Sequence, residues 1–217
     1  MFLYKDYQTV NLSNKRFYSL DDELYLPSIT TILGTTMSIE KKTSLENWRN
    51  QFGHLKADKH TKAATDRGTN VHLLIEKYLK NETIVTEDYP FEHIRMFNSL
   101  KLELKKINKI YGQEVVLFSN DLQVAGRCDL IGEYQNEPAI IDYKTSGKIK
   151  DKKDIQDYWL QTAFYLLSHN EMFGTDIKKM VIIMGVENGI PMVFKKTIND
   201  DLIIELSIRI EKFYKEL

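Results

Sequence analysis

Gly126-Arg127-Cys128-Asp129-Leu130-Ile131, followed after one turn by Ile140-Ile141-Asp142-Tyr143-Lys144-Thr145, places charged side chains inside two apolar stretches that read as strands. Acids are disfavoured in strands, so these need a reason to be there. Strand side chains alternate between faces: Asp142 and Lys144 share one surface, while Ile141 and Tyr143 point the other way, into packing. The turn over residues 135–138 folds the first strand back on the second, which brings Asp129 alongside Asp142. Two carboxylates held close on a half-buried sheet repel each other and are desolvated, so they stay ionised only with positive charge between them. A structural ion-pair cluster with Lys144 meets that need. So does a divalent cation, and oxygen ligation by carboxylates, water and the Tyr143 carbonyl favours Mg²⁺ or Mn²⁺, hard ions that also accept phosphate oxygens. Metal and lysine beside a phosphodiester suggest hydrolysis, with Lys144 positioning the water or steadying developing charge.

Outward from this centre, apolar periodicity predicts helices over residues 60–79 and 91–110, the second carrying Phe97, Leu100, Leu104 and Ile107 and stopping at Tyr111-Gly112. Three strands, over residues 114–118, 123–133 and 139–145, read as an antiparallel meander. A helix over 153–168, strands over 180–186 and 192–197 and a last helix bearing Ile203, Leu206, Ile210 and Phe213 complete the chain. The fold class is α+β (mixed α/β): a central mixed sheet in αβββαβ order flanked by helices. Before residue 60 the text is mixed, with β-like pieces over 17–26, a turn at Pro27-Ser28 and weak helix over 45–52. The reading is one domain, 1–217, with a mainly helical region over 1–110 and a sheet core over 111–217.

Composition bounds the function. The chain has 217 residues, 42% of them hydrophobic, which suits one substantial core. Its 30 basic and 31 acidic residues give a formal charge of −1, so any contact with nucleic acid must be local rather than a basic coat. No run approaches the roughly 18 apolar residues of a membrane span. The first residues have neither a secretion signal nor transit-peptide character, and the expected location is the cytoplasm of a bacterium or a phage-infected cell. The single cysteine, Cys128, leaves no intrachain disulfide and no four-cysteine iron–sulfur cluster, and reads as a small buried hydrophobe. No Walker A loop is present, so neither a nucleotide cofactor nor a built-in motor is expected.

The spacing Asp129…Asp142-Tyr143-Lys144 resembles the motif of the PD-(D/E)XK nuclease superfamily in its RecB-type exonuclease branch. Arg67-Gly68-Thr69-Asn70-Val71-His72 resembles that branch's histidine motif, Glu114 stands at its acidic position on the first core strand, and Gln161-Thr162-Ala163-Phe164-Tyr165 is similar to its Gln-x-x-x-Tyr signature. Pro27-Ser28-Ile29-Thr30-Thr31-Ile32-Leu33 resembles an N-terminal motif of the branch's mitochondrial and phage exonucleases. The likeness runs over residues 27–170. It departs from the superfamily's name at Cys128, which stands where proline precedes the first acid. The resemblance implies a restriction-endonuclease-like core with His72, Glu114, Asp129 and Asp142 as metal ligands and Lys144 as base or stabiliser. It also implies DNA contacts from Gln161, Tyr165, Arg67, Ser28 and Thr30, and an N-terminal helical arch that threads a DNA end.

Each residue has a plainer account. His72 lies beside an apolar helical stripe where packed histidines are common, Glu76 one turn later suits a solvated face, and Gln161 and Tyr165 suit a helix edge. The lysines at 148, 150, 152 and 153 suit a solvated loop as well as phosphate attraction. The expected function is a Mg²⁺- or Mn²⁺-dependent exonuclease on single-stranded DNA ends in replication, recombination or repair. A single-strand-binding protein, helicase or recombinase is the partner such an activity admits. The alternatives are a structure-specific or flap endonuclease, a nuclease of duplex ends, a phosphoesterase acting on RNA or nucleotides, or a non-catalytic DNA-end-binding module; the intact Asp-x-Lys pair counts against the last.

Overall fold

A computed structural model describes residues 2–21 and 23–217. Its centre is a five-stranded mixed sheet in the order β4-β5-β6-β7-β8, formed by β4 (Ile107–Ser119), β5 (Val124–Tyr134), β6 (Glu137–Ser146), β7 (Lys179–Val186) and β8 (Met192–Thr197). The first three strands are an antiparallel meander, β6 pairs parallel with β7, and β8 returns antiparallel at the edge. The parallel step needs a crossover, supplied by α5 (Gln156–Phe173). Met180, Val181, Ile182, Ile183 and Met184 are all buried, as expected of a strand covered on both faces.

One face packs on α5 and α6 (Asp200–Lys215), through Trp159, Leu160, Phe164, Leu206 and Phe213. The other packs on α3 (His54–Leu79) and α4 (Phe91–Leu104), through Val71, Leu74, Ile75, Phe97 and Leu100. Tyr143 and Ile141 belong to this second core, and Ile140 to the first, as the alternation required.

The chain opens on a small antiparallel sheet of β1 (Gln8–Leu12), β2 (Lys15–Ser19) and β3 (Tyr25–Pro27). It packs on β5 through Tyr18, Leu26 and Ala125. The short α1 (Ile29–Thr35) buries Ile29, Ile32 and Leu33 against α5. Next comes α2 (Ile39–Phe52), which buries no residue, and Gly53 then turns the chain into α3 with φ 85° and ψ 132°, a conformation that needs the missing Cβ.

Two expectations change. The helix over 91–110 ends at Leu104, and Ile107 to Gly112 lie in β4. Ile107 has the apolar spacing of the helix stripe but pairs with Tyr134; a β-branched residue beside a waiting sheet edge gains more from the ladder than from another helical turn. The division at residue 110 therefore runs through β4, and the region before it holds a three-stranded sheet as well as helices.

Candidate active site

Register brings the acids together. Gln113 pairs with Leu130 and Val115 with Cys128, so Glu114 and Asp129 stand opposite each other on β4 and β5. The ladder between β5 and β6 ends at Leu130 and Ile141, so Asp129 and Asp142 are the next residues on each strand, at the fork where the two separate. There the Asp129 carboxylate takes over from the ladder: its Oδ2 accepts the Tyr143 N–H at 2.7 Å. Glu114 has a left-handed backbone, φ 53°, which a non-glycine residue adopts only under local constraint. Its carbonyl accepts a hydrogen bond from Arg127 Nη1 at 2.5 Å.

His72 enters from α3. Its Nε2 lies 2.9 Å from the Tyr143 carbonyl, an acceptor, so Nε2 carries the proton and donates. In the neutral ring Nδ1 then presents a lone pair, 3.6 Å from Asp129 Oδ1. Ligand atoms of His72, Glu114 and Asp129 lie within 4.8 Å of one another. A histidine whose second nitrogen is fixed by a carbonyl is the arrangement that orients an imidazole toward a metal.

Asp142 is fully buried, and Lys144 Nζ stands 2.5 Å from its Oδ2. Apart from that ammonium, the Asp142 oxygens have no hydrogen-bond partner among the described residues. Burial raises its pKa to about 6, with Lys144 pulling down and Asp129 pushing up. Glu114 is raised to about 7, by burial first and then by Asp129 and Glu76. For Lys144, burial disfavours the charge, but Asp142 and Asp129 outweigh it and the net direction is upward. Its ammonium also lies over the Tyr158 ring, 5.3 Å from the centroid. An aimed imidazole lone pair and mutually repelling acids whose ligand atoms lie within 4.8 Å of one another fit a divalent cation held by His72, Glu114 and Asp129, with the Asp142–Lys144 pair adjoining.

Of the residues singled out in the sequence, His72, Glu114, Asp129, Asp142 and Lys144 converge. The Tyr143 carbonyl is the acceptor that orients His72. Glu76 is no free solvated acid: it binds Lys80 and is near enough to raise Glu114. The expected DNA contacts are corrected in two places. Tyr165 is buried with its hydroxyl accepting from Gln161 Nε2 at 2.9 Å, so it holds Gln161, which alone of the two reaches the surface. Ser28 is buried as the N-cap of α1, its hydroxyl accepting from Thr31 N–H; a cap so close to an apolar helix is pulled inside with it. Thr30 is exposed and accepts from Arg16 Nη2, and Arg67 pairs with Glu187 at 3.2 Å. Tyr158 went unremarked in the sequence; its place one turn into the helix after the Asp-x-Lys strand was the available signal.

Comparison with known proteins follows the same lines. The sequence pattern of the PD-(D/E)XK nuclease superfamily matches residues 87–186, from just before α4 to the end of β7. Residues beyond it are also related to named proteins: the chain is 27% identical to mitochondrial genome maintenance exonuclease 1 of Xenopus tropicalis over 76% of its length, and 24% and 25% identical to the mouse and human proteins of that name over the same share. It spans about half the length of these curated relatives, 50% and 51%.

Proposed function

We propose that this protein is a metal-dependent DNA exonuclease that hydrolyses phosphodiester bonds at single-stranded ends. The observation that carries the reading is the convergence of His72, Glu114 and Asp129 on one point beside the Asp142–Lys144 pair. A divalent ion bound there would polarise a phosphate oxygen and lower the pKa of a water. Mg²⁺ and Mn²⁺ both suit the carboxylates, and the imidazole favours Mn²⁺ in affinity.

The chain's own residues supply the rest. Asp142 keeps Lys144 charged and aimed, and Lys144 orients the attacking water and offsets charge developing on the phosphate. Hydrolysis forms a bond from the water oxygen to phosphorus and breaks one P–O bond, the proton passing to the leaving alkoxide. His72, held by the Tyr143 carbonyl, fixes the geometry.

The single-strand preference is supported by the α2–α3 hairpin. Trp48 and Phe52 stack there with ring centroids 5.5 Å apart, and His60 meets Trp48 edge-on at 5.6 Å. Phe52 is 46% exposed, on a helix with no buried residue. An exposed ring such as that of Phe52 serves unpaired bases, whose faces are free to stack. A role in replication, recombination or repair, and cooperation with a single-strand-binding protein, helicase or recombinase, extends the same reading.

The test incubates the protein with single- and double-stranded oligonucleotides labelled at either end, with Mg²⁺, Mn²⁺ or EDTA, beside Asp142→Ala. Metal-dependent shortening of single strands that Asp142→Ala lacks supports the reading. Internal cuts at a flap junction favour a structure-specific endonuclease. DNA retained without cleavage favours an end-binding module.

A further inference from the structure

Along the free edge of β8 runs a groove of about 680 Å³, lined by Lys152, Lys153, Lys195 and Lys196 together with Trp159 and Phe194, among others. No acid is among its lining residues. Lys195 is occupied, its Nζ donating to Gln135 Oε1 at 2.7 Å and lying over the Tyr134 ring, so it leaves toward the other face of the sheet. Lys152, Lys153 and Lys196 form no salt bridge among the described residues. The nearby acids are engaged elsewhere: Glu205 accepts from Gln156 at 2.6 Å, and Asp154 accepts from the Asp151 N–H at 3.2 Å within their own turn.

The groove lies on the same face of the sheet as the catalytic pair. Asp142 is in register with Ile182, and Ile182 with Phe194, so one row of side chains crosses β6, β7 and β8. Two strand spacings, about 10 Å, separate the ends of that row. The 3-10 turn Lys152–Ile155 leads directly into α5, whose first turn carries Tyr158 over Lys144. Lysines on an edge strand also guard it against pairing with other chains, but that role does not account for Lys152 and Lys153, which come from a different element and face the same groove.

We propose that this groove binds the phosphodiester backbone of the strand beyond the nucleotide being cleaved, as a secondary polyanion track outside the metal centre. The proposal rests on the nuclease reading for the identity of its ligand. Three ammonium groups that form no salt bridge among the described residues, on the face of the sheet that carries the catalytic pair, give charge complementarity without base recognition, and predict length-dependent, salt-sensitive, sequence-independent affinity.

The experiment compares wild type with the triple variants Lys152→Glu/Lys153→Glu/Lys196→Glu and Lys152→Gln/Lys153→Gln/Lys196→Gln. Fluorescence anisotropy in EDTA measures binding of a fluorescein-labelled oligothymidylate of twenty nucleotides across a salt series, and cleavage of a trinucleotide is followed with Mn²⁺. The expected result for the Gln variant is an affinity for the long oligomer at least tenfold weaker. Its slope of log affinity against log salt should be shallower by about two, as three lost single-strand contacts require. Trinucleotide cleavage should be unchanged. An unaltered affinity and salt slope in both variants, each with the wild-type melting midpoint, overturns the proposal. Absence of cleavage by wild type overturns the nuclease reading instead, and leaves the binding comparison able to decide the groove.

Discussion

Lys144 and Asp142 show how one buried pair ties chemistry to stability. Removing one member of a buried ion pair leaves the other charge uncompensated, at a cost of about 3 kcal/mol or more. Lys144→Ala should therefore lower stability measured by chemical denaturation by about that amount in EDTA, and abolish cleavage with metal present. An unaltered denaturation midpoint would mean that Asp142 is not charged beside Lys144. His169 offers a second residue-scale test, remote from the metal ligands. It is buried, bonded to Tyr4 Oη at 3.0 Å and Thr175 Oγ1 at 2.8 Å, and burial lowers its pKa from 6.5 to about 4. Between those values the unfolded chain binds a proton that the folded ring refuses, so stability is full above about pH 6.5 and declines as pH falls toward 4. The loss approaches about 3 kcal/mol across the window. His169→Gln should show a smaller fall in melting temperature between pH 7 and pH 5 than wild type; parallel falls would refute the assignment.

Among the elements, β5 is fixed by a residue that the motif carries for packing. A Cβ at Gly126 would lie 2.8 Å from Tyr165 Cε1 and 2.9 Å from Ile29 Cγ2, so α1 and α5 both close on the strand at that point. Gly126→Ala should cost about 1–3 kcal/mol, read as a lowered melting midpoint, with residual activity in whatever fraction stays folded. The α2–α3 hairpin behaves oppositely. Because α2 buries no residue, Trp48→Ala should change stability by less than about 1 kcal/mol, yet raise KM for single-stranded DNA by about tenfold through the loss of a stacking platform. A KM unchanged within error would assign the rings to the hairpin's own cohesion.

At the scale of the molecule, the candidate metal ligands come from α3, β4 and β5, so a bound ion would tie the helical layer to the sheet. A ligand that binds only the folded state at a hundred times its Kd stabilises by about 2.7 kcal/mol. Mn²⁺ should then raise the melting midpoint by roughly 5–10 °C for a chain of this size, and His72→Ala should remove most of the gain. Equal shifts in both proteins would place the ion elsewhere. No helix among the described residues is long and apolar enough to cross a membrane.

Short-range pattern alone determined the meander, the strand over 192–197 and the shared face of Asp142 and Lys144, because period-two alternation is a property of the chain itself. The resemblance added His72 and Glu114, which no local rule would have joined. What only the tertiary structure decided is what depends on neighbours distant in sequence. Ile107 became strand because Tyr134 lay opposite it, and Ser28 and Tyr165 went inside because α1 and α5 pack against Gly126. The fork at Leu130 and Ile141 likewise exists only once β5 and β6 have paired, and it is the fork that sets Asp129 against Tyr143 and leaves the Asp142 carboxylate to Lys144. Periodicity reports which way a side chain points; burial and partner identity are set by long-range packing, which a single sequence does not encode locally.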